Sequence, residues 1–184
     1  MYCPNCNSEV KGFVKEVLET YPVKGEDITI TAHVRFCERC KKAIWDEELD
    51  SANLLSAFRK YREKHHLLQP DEIRIIRSKY GLSQVAFARV LGLGDKTITR
   101  YENGSIADTA QNNLIELMMH PSNFKELLEK NKDNISEQEY MTACTSLDKM
   151  QLKFVYNSQR STTSVIDKKR FNYSNRYWGD VNYA

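Results

Sequence analysis

The 184-residue sequence has no uninterrupted apolar run approaching the ~18 residues that a membrane helix needs. It has no charged-then-apolar leader either, because the opening MYCPNCNSEV breaks off into cysteine, proline and asparagine. A cytoplasmic protein with no membrane partner is expected. Net charge is nearly absent: 27 Lys and Arg against 25 Asp and Glu leave +2. That total does not announce a nucleic-acid binder, so the distribution of charge has to carry any such signal. There is no internal repeat, no glycine loop shaped to cradle phosphate, no nucleophile–base pair and no open metal site, so no enzyme is expected. The cysteine count is five, an odd number that weighs against a closed disulfide framework. What remains, 41% apolar and 28% charged residues, suits one full globular domain or two small ones with a tail.

Three zones separate by pattern. Residues 1–45 hold four of the five cysteines and two stretches of period two. From Phe13 to Val23, the set Phe13, Lys15, Val17, Glu19, Tyr21 and Val23 opposes Val14, Glu16, Leu18 and Thr20. In the next stretch Ile28, Ile30, Ala32, Val34 and Phe36 oppose Thr29, Thr31, His33 and Arg35. Alternation of this kind predicts two half-buried strands, and VKGED between them predicts the turn of a β-hairpin. After Trp45 the period becomes helical, with Asp46 as N-cap and Leu49, Ala52, Leu55, Phe58 and Tyr61 or Arg62 as the inward stripe. Pro70 marks a boundary, with His65 and His66 read as the helix terminus before it. From Asp71 to about Lys130 the chain reads as helical. Another amphipathic segment, SEQEYMTACTSLDKM, follows, with Cys144 as a small packing residue, and then a polar tail dotted with aromatics. The fold class expected is α+β: a zinc-binding β-hairpin domain with a helix (1–66), an all-α helix-turn-helix domain (67–130) and a C-terminal extension (131–184).

Cys3 and Cys6 form one Cys-x-x-Cys unit, and Cys37 and Cys40 form a second thirty residues later. A redox pair needs only one such unit, at the start of a helix in a βαβ pattern. Two units joined by a hairpin suit one tetrahedral Zn²⁺, each folding as a knuckle whose thiolates lie on one side of a turn. Four thiolates leave no open position, so the ion is expected to be structural. A domain this small gains from a metal the stability its core does not supply. His33 reads as an exposed strand residue rather than a ligand.

In PDEIRIIRSKYGLSQVAFARVLGLGDKTITRYENG, two short helices and a glycine-bearing turn make a helix-turn-helix. Ile73, Ile76 and Tyr80 point inward on its first helix, which Gly81 stops. Ser83 caps the second, whose packing face is Val85, Ala86, Ala88 and Leu91. Ile98 and Tyr101 point inward on the third. From Arg74 to Arg100 six basic residues (Arg74, Arg77, Lys79, Arg89, Lys96, Arg100) face one acid, Asp95, a local +5. Entry of the third helix into the major groove presents Lys96, Thr97, Thr99 and Arg100. Arg100 is suited to bidentate contact with guanine, and Gln84, Ser83, Arg77 and Lys79 are phosphate candidates. Such units read operator DNA as dimers, which makes the helices from Asp108 to Lys130 a candidate homodimer surface.

MYCPNC, FCERC followed by a short helix, and GLSQVAFARVLGLGDKTITRYENG, in that order, resemble the MqsA/YgiT antitoxins of bacterial toxin–antitoxin systems, over roughly residues 1–130. The resemblance implies a zinc domain that binds a cognate toxin and a helix-turn-helix domain that dimerises and represses the operon. It places the family's base-reading arginine on Arg100, while Lys96 stands where the family has asparagine. It implies as toxin an MqsR-type ribonuclease, and similar antitoxins also occur beside SocA-like toxins. The tail departs from the family's length. Its aromatics, among them Phe171, Tyr173, Tyr177 and Trp178, suit either a segment that orders on a toxin or one that packs back on its own domain. A stand-alone zinc-containing transcriptional regulator is the alternative.

Overall fold

A computed structural model describes the backbone of residues 1–160 and the side chains of residues 1–150. Its longest strands are β3 (Gly12–Val23) and β4 (Glu26–Cys37), paired antiparallel from Gly12↔Cys37 to Val23↔Glu26. The turn is narrower than VKGED suggests. Only Lys24 and Gly25 lie outside the strands, with φ of 50° and 84°. Two successive positive-φ residues make the tight turn whose twist matches that of the strands. Ile28, Ile30, Ala32 and Val34 are buried on one face of β4, while Thr29, Thr31 and His33 are exposed on the other, as the alternation predicts. Short strands flank this ribbon: β1 (Tyr2–Cys3) pairs with β2 (Ser8–Glu9), and β5 (Ala43–Ile44) pairs with the end of β4.

Helix α1 (Glu47–Lys64) covers the buried face. Asp46 caps it, accepting from the Leu49 N–H at 3.2 Å. The inward face keeps only part of the predicted stripe, with Phe58 and Tyr61 packed against the sheet core. Asn53, Ala57 and Arg62 are buried, whereas Ala52 is exposed and Leu55 is 51% exposed. The reason lies in β4. Strand β5 reaches only Arg35 and Phe36, so His33 has β3 on one side and no strand on the other. The Asn53 amide fills the place of that strand, accepting from the His33 N–H and donating to its C=O, both at 2.9 Å. Buried backbone groups demand such partners, and here the demand outranks hydrophobicity in deciding which side of the helix faces in. The helix ends at His65, whose ring meets Glu26 at 2.8 Å across the hairpin tip.

The helical part runs through α2 (Pro70–Ser78), α3 (Gln84–Val90), α4 (Thr97–Glu102), α5 (Thr109–Leu117) and α6 (Pro121–Lys130). A 3₁₀ turn (Lys132–Asn134) and α7 (Glu137–Arg160) follow. Its core is aromatic: the Tyr80 and Phe124 rings stack at 3.6 Å between centroids, with Phe87 at 6.0 Å from Phe124. Ile73, Ile76, Ile98, Ile115, Leu128, Ala143 and Leu147 complete it. On α3 Ala86, Ala88 and Leu91 are buried as expected, but Phe87 and Val90 are buried with them while Val85 is 38% exposed. Cys144 is half-buried beside the α7 stripe of Ala143 and Leu147.

Residues Met1–Asp148 form one compact unit that contains both the strands and helices α1–α6. The buried Asn112 side chain ties the segment between α1 and α2 to α5, accepting from the Leu68 N–H at 2.8 Å. Among the described residues no helix is long and apolar enough to cross a membrane.

Candidate metal centre and nucleic-acid interface

Each cysteine pair sits in its own small hairpin. Cys3 ends β1 and Cys6 lies in the turn to β2, and Cys37 ends β4 with Cys40 in the turn to β5. Both turns close on a left-handed residue directly after the second cysteine: Asn7 at φ 49° and Lys41 at φ 59°. The Cys40 N–H points at the Cys37 sulfur at 3.5 Å, and the Lys41 N–H returns to the Cys37 carbonyl at 2.9 Å. Register between β3 and β4 sets Gly12 beside Cys37, which brings the two hairpins together.

The four sulfurs lie within 4.8 Å of one another, with Cys3–Cys40 at 3.7 Å and Cys6–Cys37 at 3.8 Å. An ideal tetrahedron around an ion with ~2.3 Å metal–sulfur bonds has an edge of about 3.8 Å. The donor set therefore fits one tetrahedral, thiophilic ion. Burial and the three neighbouring thiols push Cys6 up to about 12, while the Lys42 N–H draws Cys40 down to about 6. Four thiolates this close repel one another, and a doubly charged ion is what allows them all to ionise together. His33 stands apart from the cluster, with its ring 3.4 Å from Glu16.

Helix α4 is held by a carboxylate that the sequence reading passed over. Glu102 is buried, with a side-chain exposure of zero. Arg77 grips it with two nitrogens at 2.6 and 2.9 Å and gives a third to the Leu82 carbonyl. The Gln84 amide donates to Glu102 at 2.7 Å and accepts from the Thr99 hydroxyl at 2.9 Å. Burial pushes the Glu102 carboxyl up, but hydrogen bonds from Arg77 and Gln84 outweigh it and leave the group below its ordinary value. The signal was present in the sequence. Glu102 continues the inward stripe of Ile98 and Tyr101, and Arg77 continues that of Ile73 and Ile76, so opposite charges occupy facing stripes.

This network changes what the local +5 means. Arg74 meets Asp71 at 2.8 Å and Glu102 at 3.7 Å, and Arg89 meets Asp95 at 2.9 Å. The Lys79 ammonium donates to the Met119 carbonyl at 2.8 Å. Among the described residues, Lys96 and Arg100 alone of the six cations are exposed with no hydrogen bond or ion pair from their charged ends. They stand at the start and in the body of α4, one turn apart. The other candidate residues vary in exposure. Thr97 is buried at 7% exposure, Thr99 is half-buried against Gln84, and Arg77 and Lys79 hold the scaffold. Ser83 is exposed, caps α3 through the Ala86 N–H and donates to Glu139 at 3.2 Å. Phe171, Tyr173, Tyr177 and Trp178 lie outside the described residues.

Paired cysteine knuckles that could hold one metal ion, followed by a bundle of short helices with exposed cations on α4, define the class of protein. The chain belongs to the MqsA antitoxin family. The family model described as the antitoxin component of a bacterial toxin–antitoxin system, MqsA, matches residues 1–132. No curated protein matches the chain.

Proposed function

We propose that this antitoxin binds double-stranded operator DNA through α4, represses its own operon, and neutralises a cognate toxin protein. The observation that carries the DNA reading is the pair Lys96 and Arg100, exposed on a helix whose neighbouring cations are internally occupied. Arg100 supplies the bidentate base contact, and Lys96 a second base or phosphate contact one turn earlier. Ser83 and Gln84, at the N-terminus of α3, stand beside the path of the backbone. Arg77 and Lys79 act by holding α2 in place. One structural Zn²⁺ is held by Cys3, Cys6, Cys37 and Cys40, and metal analysis is expected to return one zinc per chain.

Functionally the chain divides into a zinc domain (1–66), a DNA-binding and dimerisation domain (67–130) and an extension (131–184). The homodimer surface is drawn from α5 and α6, where Leu117 is 52% exposed. The toxin is an MqsR-type ribonuclease or a SocA-like protein met in the cytoplasm. Phe171, Tyr173, Tyr177 and Trp178 are offered to it on sequence grounds. Replacing Arg100 by alanine should cost about 1–3 kcal/mol of binding to the promoter DNA, with zinc content and melting temperature intact. Unchanged affinity removes Arg100 as a base reader. Co-expression with the neighbouring gene's product tests the toxin half: a product neither toxic nor bound by this chain defeats it in favour of a stand-alone regulator.

A further inference from the structure

Arg62, near the end of α1, is 3% exposed, and no carboxylate of the described residues lies in ion-pair reach of it. A buried guanidinium without a counter-charge is costly, and burial pushes its pKa down from the ordinary value. Its partner is a backbone carbonyl: Nη2 donates to the oxygen of Gly104. That oxygen sits where α4 ends. The Ser105 N–H returns to the Arg100 carbonyl at 2.9 Å and the Gly104 N–H to that of Tyr101 at 3.1 Å, with Gly104 at φ 103°. This is the double-bonded glycine stop of a helix, and carbonyls crowd there with the negative end of the helix dipole. Helix α1 therefore supplies the C-terminal cation of α4 from 42 residues away.

The contact is broader than one bond. A Cβ built on Gly104 would lie 2.9 Å from Leu55 Cδ2, so a second α1 side chain, two turns before Arg62, rests against the same turn. Ile106, just beyond, packs into the core between α1 and the sheet. Helix α4 spans only Thr97–Glu102, so besides the Glu102 network on its inner side, the contact at its C-terminal flank bears on where Arg100 points.

We infer that Arg62 is a positioning residue for DNA reading: helix α1, packed on the knuckle-bearing sheet, fixes the pitch of α4 through the Arg62–Gly104 contact. The inference rests on α4 being the DNA-reading helix. Arg62 itself touches no DNA. The link makes the sheet layer part of the DNA-reading device, so whatever displaces α1 also displaces α4.

The test titrates the full-length, zinc-loaded protein with its promoter DNA and with unrelated duplex at several salt concentrations. Arg62→Met is expected to lose about tenfold in promoter affinity, the range of one misplaced bidentate base contact. Binding to unrelated duplex and the salt slope should stay at wild-type values, because no phosphate contact is removed. Arg62→Lys, which keeps the cation, should recover part of the loss. Wild-type promoter affinity in Arg62→Met, alongside weakened Arg100→Ala, overturns the inference. An equal loss on promoter and unrelated duplex also overturns it, since that is the mark of a merely unfolded fraction. If Arg62→Met does not fold, Leu55→Ala at an exposed side chain takes its place. It should weaken promoter binding by about two- to threefold, within the usual range for a coupling residue, at unchanged melting temperature, and no weakening overturns the inference. If the wild-type protein does not distinguish promoter from unrelated duplex, the DNA reading itself falls and takes this inference with it.

Discussion

The sheet layer and the helical bundle reach stability by different means. The layer buries one face of a two-stranded ribbon under a single helix, and its knuckle end has only Cys3, Cys37 and Ile44 as fully buried side chains. The bundle closes on stacked Tyr80, Phe124 and Phe87 with a full complement of aliphatic neighbours. The difference extends to polar groups. The layer uses Asn53 as a surrogate strand, while the bundle buries a charge pair, Glu102 with Arg77, beneath the helix proposed to read DNA. A thin layer has four converging thiols at one end that could hold a metal. A thick one can carry an ionic network in its interior and use it to fix orientation.

The comparison is broken most forcefully at the knuckles. Cys37→Ser, or chelation of the metal, should unfold the β1–β5 end, since binding at structural zinc sites carries on the order of 10 kcal/mol. The stacked core of the bundle should survive. Circular dichroism with metal analysis would show lost strand signal with retained helix, and a metal-free chain with its strands intact would defeat the structural-metal assignment.

Next in size is the bundle's own charge pair. Glu102→Ala leaves Arg77 half-buried without its carboxylate and should cost about 3 kcal/mol, read as a drop in denaturant midpoint. Glu102 is held below its ordinary value, so it contributes stability that is fully present above the unfolded carboxylate pKa of about 4.3. That stability is lost as pH falls through the lower folded value. Melting temperature should therefore decline in acid, and Glu102→Gln should flatten the decline. A variant with the wild-type acid slope would assign the effect to another group.

The smallest effect expected is at the cap of α1. Asp46 accepts from the Leu49 N–H and pairs with Arg35, which holds its carboxyl below the usual range. Asp46→Ala should cost about 1 kcal/mol, with operator affinity unchanged as long as Arg62 keeps its place. Thermal melts and DNA titration on the same preparation check both halves.

Local signals carried much of this protein. Alternating residues defined β3 and β4, Asp46 and Ser83 announced their helices, and Gly81 marked a stop, because caps, turns and strand faces depend on neighbours within a few residues. The α1 stripe misled because leucines are the usual guide to a buried face. Asn53 turned inward to serve an unpaired segment of β4 twenty residues earlier, a need no helical period encodes. The basic run misled for a related reason. Charge counted along the chain ignores partners across the fold, and Glu102 lay two residues beyond the window that gave +5.

By itself, then, the order of residues determined the two cysteine knuckles, the hairpin between them and the helix-turn-helix, each written in short-range spacing. Tertiary structure alone decided which cations stay free on α4, that Asn53 serves the open edge of β4, and that Arg62 reaches the end of α4. The physical reason is that a buried charge or unpaired backbone group is satisfied by whichever partner the fold brings near. Proximity in the fold is not a local property of the chain.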